Sequence, residues 1–162
     1  MKRPHKLQNG FTLIELVMVI VLLGILSFGT SSLFSSKSTY AEFIAKEQLI
    51  AQGLLAQQIA LGMSAISNPV SLTIARSAGG QTSFILTKTG QTPLIELLDS
   101  SLNSPLVDGS ALANGASTIF TWNTKGELSD NSNHSVVFVG DNSYRVCFSS
   151  SGYVYESLAA CP

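Results

Sequence analysis

The groups able to do chemistry are few, and their spacing excludes most of it. Of the two histidines, His5 lies in a basic stretch at the start, and His134 lies in the polar run Asp130-Asn131-Ser132-Asn133-His134-Ser135. Serines are plentiful, but none sits in a nucleophile-elbow motif, so a Ser–His–Asp arrangement has no local support. Asp99, Asp108, Asp130 and Asp141 are scattered over turn-rich segments without the spacing of a calcium loop. Cys147 and Cys161 have 13 residues between them, which is neither a CxxC redox pair nor half of a four-cysteine zinc site. No catalytic residue, metal site or cofactor is expected. Trp122, the sole tryptophan, could stack on a sugar or a base, but a lone Trp in an alternating strand more often belongs to a core. One group is out of place. Glu15 is a carboxylate inside an apolar run, where it costs roughly 2–3 kcal/mol on insertion scales.

The run that surrounds Glu15 dominates the composition. The chain has 162 residues, 45% apolar and only 12% charged, against about 25% charged in typical domains. Mean hydropathy is +0.31. The balance of 9 Lys+Arg against 10 Asp+Glu gives no whole-chain affinity for nucleic acid. Residues 1–10 carry Lys2, Arg3 and Lys6 and no acid. Residues 16–36, 21 in all, carry no charge; as a helix they reach about 30 Å, the thickness of a bilayer core. The basic flank predicts a cytoplasmic N-terminus and an exported remainder. The alternatives are an ordinary signal peptide, with Ser27, Gly29 and Ser31 imitating a cleavage site, and a plain single-pass anchor. Neither gains anything from Gly10 directly before the run or from Glu15 within it. In an exported domain the even pair Cys147 and Cys161 reads as a disulfide, worth about 3 kcal/mol for a loop of about 15 residues.

Gly10-Phe11-Thr12-Leu13-Ile14-Glu15, after a short basic leader and before an apolar run, resembles the class III signal of type IV pilins and pseudopilins. The resemblance implies that prepilin peptidase cuts between Gly10 and Phe11 on the cytoplasmic side and methylates the new N-terminal amine of Phe11. It implies that Glu15 meets the charged N-terminus of a neighbouring subunit during assembly. An amine and a carboxylate attract strongly in low dielectric, and each alone there is costly. Loss of residues 1–10 leaves 6 basic against 10 acidic residues. The implied partners are prepilin peptidase, other pilin or pseudopilin subunits, the pilus assembly platform and the inner membrane. The implied fold is α+β and pilin-like: a long N-terminal helix whose apolar half protrudes and whose amphipathic half packs on an antiparallel β-sheet head. Where many pilins carry a helix-bending proline, this chain has Thr30-Ser31-Ser32, with Gly24 and Gly29 as the nearest helix weakeners.

The expected organisation is a leader over 1–10, a transmembrane or filament-core helix over 11–36, an amphipathic half over 37–67 and a head over 68–162. Tyr40, Phe43, Ile50, Leu54 and Leu61 recur at helical spacing, widened by Ile44, Ala51 and Leu55, which predicts a core-facing stripe. Glu42 and Lys46 form an i,i+4 pair. One helix over 11–63 would be roughly 80 Å long. Beyond Pro69 the pattern turns strand-like. Strands are predicted over 70–74, 83–87, 118–123, 135–139, 144–148 and 153–156, with a short helix or turn over 93–98 and a surface loop over 99–117. Short turns between sequential strands predict an antiparallel meander.

Two segments echo one another. Trp122, Gly126 and Leu128 match Phe148, Gly152 and Val154 in spacing, a strand, a glycine-bearing turn and a returning strand. This pair resembles the C-terminal half of H-type minor pseudopilins and T-type minor fimbrial pilins, with Tyr153 where those families often carry an arginine. The expected function is that of a minor pilin, supporting pilus biogenesis or adhesion, with the mannose-sensitive haemagglutinin type of pilus favoured. The alternatives are a minor pseudopilin of a type II secretion system, or a minor pilin that binds DNA or an adhesive ligand. Past the helix only Arg76, Lys88, Lys125 and Arg145 are basic and they do not cluster, so nucleic-acid binding is not expected. The expected location is the inner membrane before assembly and the filament, in the periplasm or at the cell surface, afterwards.

Overall fold

The computed structural model describes residues 11–30, 37–63, 69–140 and 142–162; for 26–30 and 37–39 it describes the backbone alone. It divides into two units, residues 1–36 and 37–162.

The first unit contains α1 (Leu13–Thr30), 18 residues long, hence about 27 Å. Its large apolar side chains from Leu13 to Ile25 are exposed. Among the described residues no helix is long and apolar enough to cross a membrane. The span expected over 11–36 and the unbroken helix over 11–63 both run through 31–36, outside the described residues. The leader over 1–10, with His5 and Gly10, also lies outside them.

The second unit is α+β. It begins with α2 (Lys37–Leu61), closed where the Gly62 N–H reaches the carbonyls of Gln58 (3.2 Å) and Ile59 (3.1 Å). Among the described residues nine strands follow: β1 (Val70–Arg76), β2 (Thr82–Lys88), β3 (Leu94–Leu97), β4 (Leu106–Val107), β5 (Ser110–Ala111), β6 (Ser117–Trp122), β7 (His134–Val139), β8 (Ser143–Phe148) and β9 (Val154–Glu156). One sheet has the order β3-β2-β1-β6, the other β5-β4-β7-β8-β9. Every pairing is antiparallel.

Three expectations about the strands need correction. Residues 94–97 form a strand, not a helix or turn, because their backbone completes the free edge of β2. The loop expected over 99–117 holds the β4–β5 hairpin, whose turn Asp108-Gly109 has φ of +49° and +82°, the double left-handed geometry that matches strand twist. A plain meander is also wrong: β6 returns beside β1, with Leu72 opposite Phe120 and Val70 opposite Trp122, so two sheets form.

Both sheets turn their apolar faces to one core. β1 gives Val70, Leu72 and Ile74, and β2 gives Phe84 and Leu86; β6 to β9 give Phe120, Trp122, Val136, Phe138, Val146, Phe148 and Val154. Phe84 meets Phe138 edge-on at 6.3 Å, and Phe120 stacks on Phe148 at 4.3 Å. The face of α2 turned to this core shares Ile50, partly buried against it, with the expected stripe but otherwise differs from it. Its buried apolar residues are Ala41, Ala45, Leu49, Ala56 and Ala60, with Gly53 so close to β9 that a Cβ there would sit 2.7 Å from Val154. The sheets already supply the bulk, so the helix approaches through small side chains. Tyr40 (65% exposed), Ile44 (50%) and Leu61 (58%) remain outside, with Phe43 and Leu55.

Candidate functional site

The start of α1 is a reciprocal cap. The Thr12 hydroxyl oxygen accepts the Glu15 N–H at 3.3 Å. Glu15 Oε2 accepts the Thr12 N–H at 3.0 Å and the Thr12 O–H at 3.1 Å. Thr12 is thus the N-cap and Glu15 the third helical residue of a capping box, and the carboxylate also faces the positive end of the helix dipole. Phe11 lies just outside the helix and is 86% exposed. Thr12 is the residue that the reading of Glu15 overlooked. Its signal was present as Thr-x-x-Glu before an apolar run.

Polar groups on α2 fasten it to the sheets. Gln48 and Gln52 donate to the two carboxylate oxygens of Glu96 on β3, at 2.5 and 2.7 Å. The Lys46 ammonium pairs with Glu156 at 2.8 Å and Glu47 at 2.9 Å, and lies 4.4 Å from the Phe43 ring centre. Burial pushes the Lys46 pKa down, but the two glutamates outweigh it and hold it above the ordinary lysine value. Lys46 therefore cross-links α2 to β9. The Glu42 carboxylate is buried against Gly140, where any Cβ would collide with it.

The echoed segments form matching turns. Asn123 N–H bonds the Glu127 carbonyl and Gly126 N–H bonds Asn123; Ser149 bonds Tyr153 and Gly152 bonds Ser149 in the same pattern. Gly126 and Gly152 have φ of +75° and +81°. The two turns stack. Trp122 Nε1 donates to the Gly152 carbonyl at 3.0 Å, and Leu128 N–H donates to Ser150 at 3.0 Å. Gln57 of α2 donates to the carbonyls of Gly126 (3.1 Å) and Ser151 (3.0 Å). Trp122 is 1% exposed, a core residue and not a stacking platform.

Cys147 and Cys161 form a disulfide with Cα atoms 5.6 Å apart. The tail is further held by Asn133, whose amide donates to the Pro162 carbonyl. His134 opens β7 and lies between two carboxylates: Nδ1 is 2.7 Å from Asp108 and Nε2 is 2.6 Å from Asp130. With both nitrogens occupied, the ring offers no free base. Asp99 is in the turn after β3, where it accepts the Ser101 N–H at 2.8 Å; Asp141 lies outside the described residues. Among the described residues no group of His, Cys, Asp and Glu is placed to hold a metal ion. Arg76, Lys88, Lys125 and Arg145 sit on four separate elements: β1, β2, the turn after β6, and β8. Arg76 is occupied by Asn114 at 2.7 Å and Thr82 at 3.3 Å.

The family described as the prokaryotic N-terminal methylation motif matches residues 5–31. The chain therefore carries a type IV pilin-like class III signal at its N-terminus. No curated protein and no solved structure matches the chain.

Proposed function

We propose that this chain is a minor pilin, a structural subunit that is processed by prepilin peptidase and assembled into a type IV pilus. The observation that carries the reading is the match over residues 5–31 together with the Gly10–Phe11 junction and Glu15. Before assembly the subunit sits in the inner membrane with a cytoplasmic N-terminus and a periplasmic head. Cleavage exposes the Phe11 amine. In a neighbouring subunit Glu15 exchanges its bonds to Thr12 for that amine, which sets the axial register. The exposed apolar face of α2, with Tyr40, Phe43, Ile44 and Leu55, supports the reading, because filament neighbours can cover it.

The stacked glycine turns support a place in the H/T-type group. That group includes minor pseudopilins of type II secretion, which is the second reading. A surface-adhesion pilus of the mannose-sensitive haemagglutinin type is the setting we favour, with biogenesis or adhesion as the role. The subunit acts by assembly, without catalytic turnover, and binds no nucleic acid.

The test is co-expression of the full chain with prepilin peptidase, followed by intact-mass measurement. We expect a product shorter by ten residues and heavier by one methyl group; an unshortened chain overturns the reading. In the same cells Glu15→Val should insert normally but fail to enter sheared filaments. Normal entry removes Glu15 from the mechanism.

A further inference from the structure

The β4–β5 hairpin hangs on the second sheet by little. Its ladder to β7 has two residue pairs, Leu106 with Val137 and Val107 with Val136. Asp108 extends that ladder. Its N–H donates to the Ser135 carbonyl at 2.8 Å, and its Oδ1 accepts the Ser135 N–H at 2.7 Å. Its other oxygen, Oδ2, meets His134 Nδ1, while His134 Nε2 meets Asp130 Oδ2. An ionised carboxylate only accepts, and a neutral imidazole donates from one nitrogen alone. Both bonds coexist only when the ring carries two protons. The ring plane is steadied by Phe120 of β6, 5.4 Å away.

We propose that Asp108, His134 and Asp130 form a proton-operated clasp that holds the β4–β5 hairpin onto the edge of β7. The clasp is closed while the ring is doubly protonated. When the ring loses a proton, one carboxylate faces a bare lone pair. Asp130 is four residues away in the same segment, so its bond is entropically cheaper to keep. The Asp108 arm opens, and with it the cover over the Ser135 N–H.

The remaining charged side chain lining this cleft is Arg145 of β8. Burial pushes the His134 pKa down, but Asp108 and Asp130 outweigh it and hold it above the ordinary 6.5. Burial likewise pushes Asp130 up, and its bonds to His134 and to the Ser132 N–H bring it below 3.8. The His134 contribution is complete below 6.5 and is lost as pH rises through the higher folded value. The Asp130 contribution is present above 3.8 and is lost as pH falls through the lower folded value. The clasp is therefore firmest in mildly acidic solution and fails on the alkaline side. It is independent of the filament reading.

The experiment uses the full chain in detergent micelles. Ring nitrogen shifts report protonation, and exchange of the Ser135 amide is compared with that of Phe84 in the other sheet from about pH 5.5 to about pH 9. We expect a doubly protonated ring at about pH 6.5 and a relative Ser135 exchange that rises about tenfold as the ring titrates. His134→Gln should exchange fast at every pH. Asp108→Asn keeps the Ser135 bond through its amide oxygen and should lower the ring's midpoint, which serves if the first variant does not fold. A neutral ring at mildly acidic pH, or Ser135 exchange that tracks Phe84 throughout, overturns the clasp.

Discussion

At Gly152 the φ angle is +81°, and a Cβ would run into the Gly126 carbonyl and the Trp122 ring. Gly90 has nearly the same φ, +80°, but opens onto empty space. The pair separates two costs that a left-handed glycine carries. Gly90→Ala incurs the backbone cost alone, roughly 1–2 kcal/mol. Gly152→Ala adds collision with a backbone that cannot move aside, roughly 1–3 kcal/mol more. Urea unfolding followed by Trp122 fluorescence should rank them in that order; equal losses would mean that the stacked turns are not closely packed. The turn glycines were legible in the sequence by their shared spacing. Their stacking was not, because it depends on a contact between turns 26 residues apart. Thr12 and Glu15 are the opposite case. Their bond is local, so the Thr-x-x-Glu spacing alone contained it.

The elements divide the same way. Helix α2 was legible as a helix, since periodicity and the absence of proline are local properties. Its orientation was not. Apolar periodicity marks a face that avoids water, and in this chain Tyr40, Phe43, Ile44, Leu55 and Leu61 of that face stay uncovered within the head. The buried face is Leu49 among Ala41, Ala45, Ala56 and Ala60, and the alanines are too small to stand out. Only the bulk of Phe84, Phe120, Trp122, Phe138 and Phe148 in the sheets makes small partners necessary. Substitutions on the two faces should therefore behave oppositely. Ala56→Leu overfills the core and should cost about 1–3 kcal/mol. Ile44→Ser should leave stability within about 0.5 kcal/mol while reducing recovery in sheared filaments. Thermal melts by circular dichroism and filament fractionation read the two effects separately. If Ile44→Ser melts early, the face is core after all.

Across the whole molecule the tail is held covalently. Reduction of the Cys147–Cys161 bond should cost about 3 kcal/mol and lower Tm by roughly 10 °C, measured by calorimetry with and without reductant; an unchanged Tm would mean that the tail contributes nothing to the fold. By itself the sequence determined the class III signal, the uncharged stretch over 16–36, the α+β class and most strand positions. These follow from contiguous residues, whose charge, period and turn chemistry act locally. The tertiary structure alone decided four things: that the strands split into two sheets, that β6 returns to β1, which face α2 buries, and that Asp108 and Asp130 converge on His134. Each of these depends on groups far apart in the chain. Their distances are set by how two sheets and a helix share one core, and no local pattern records that.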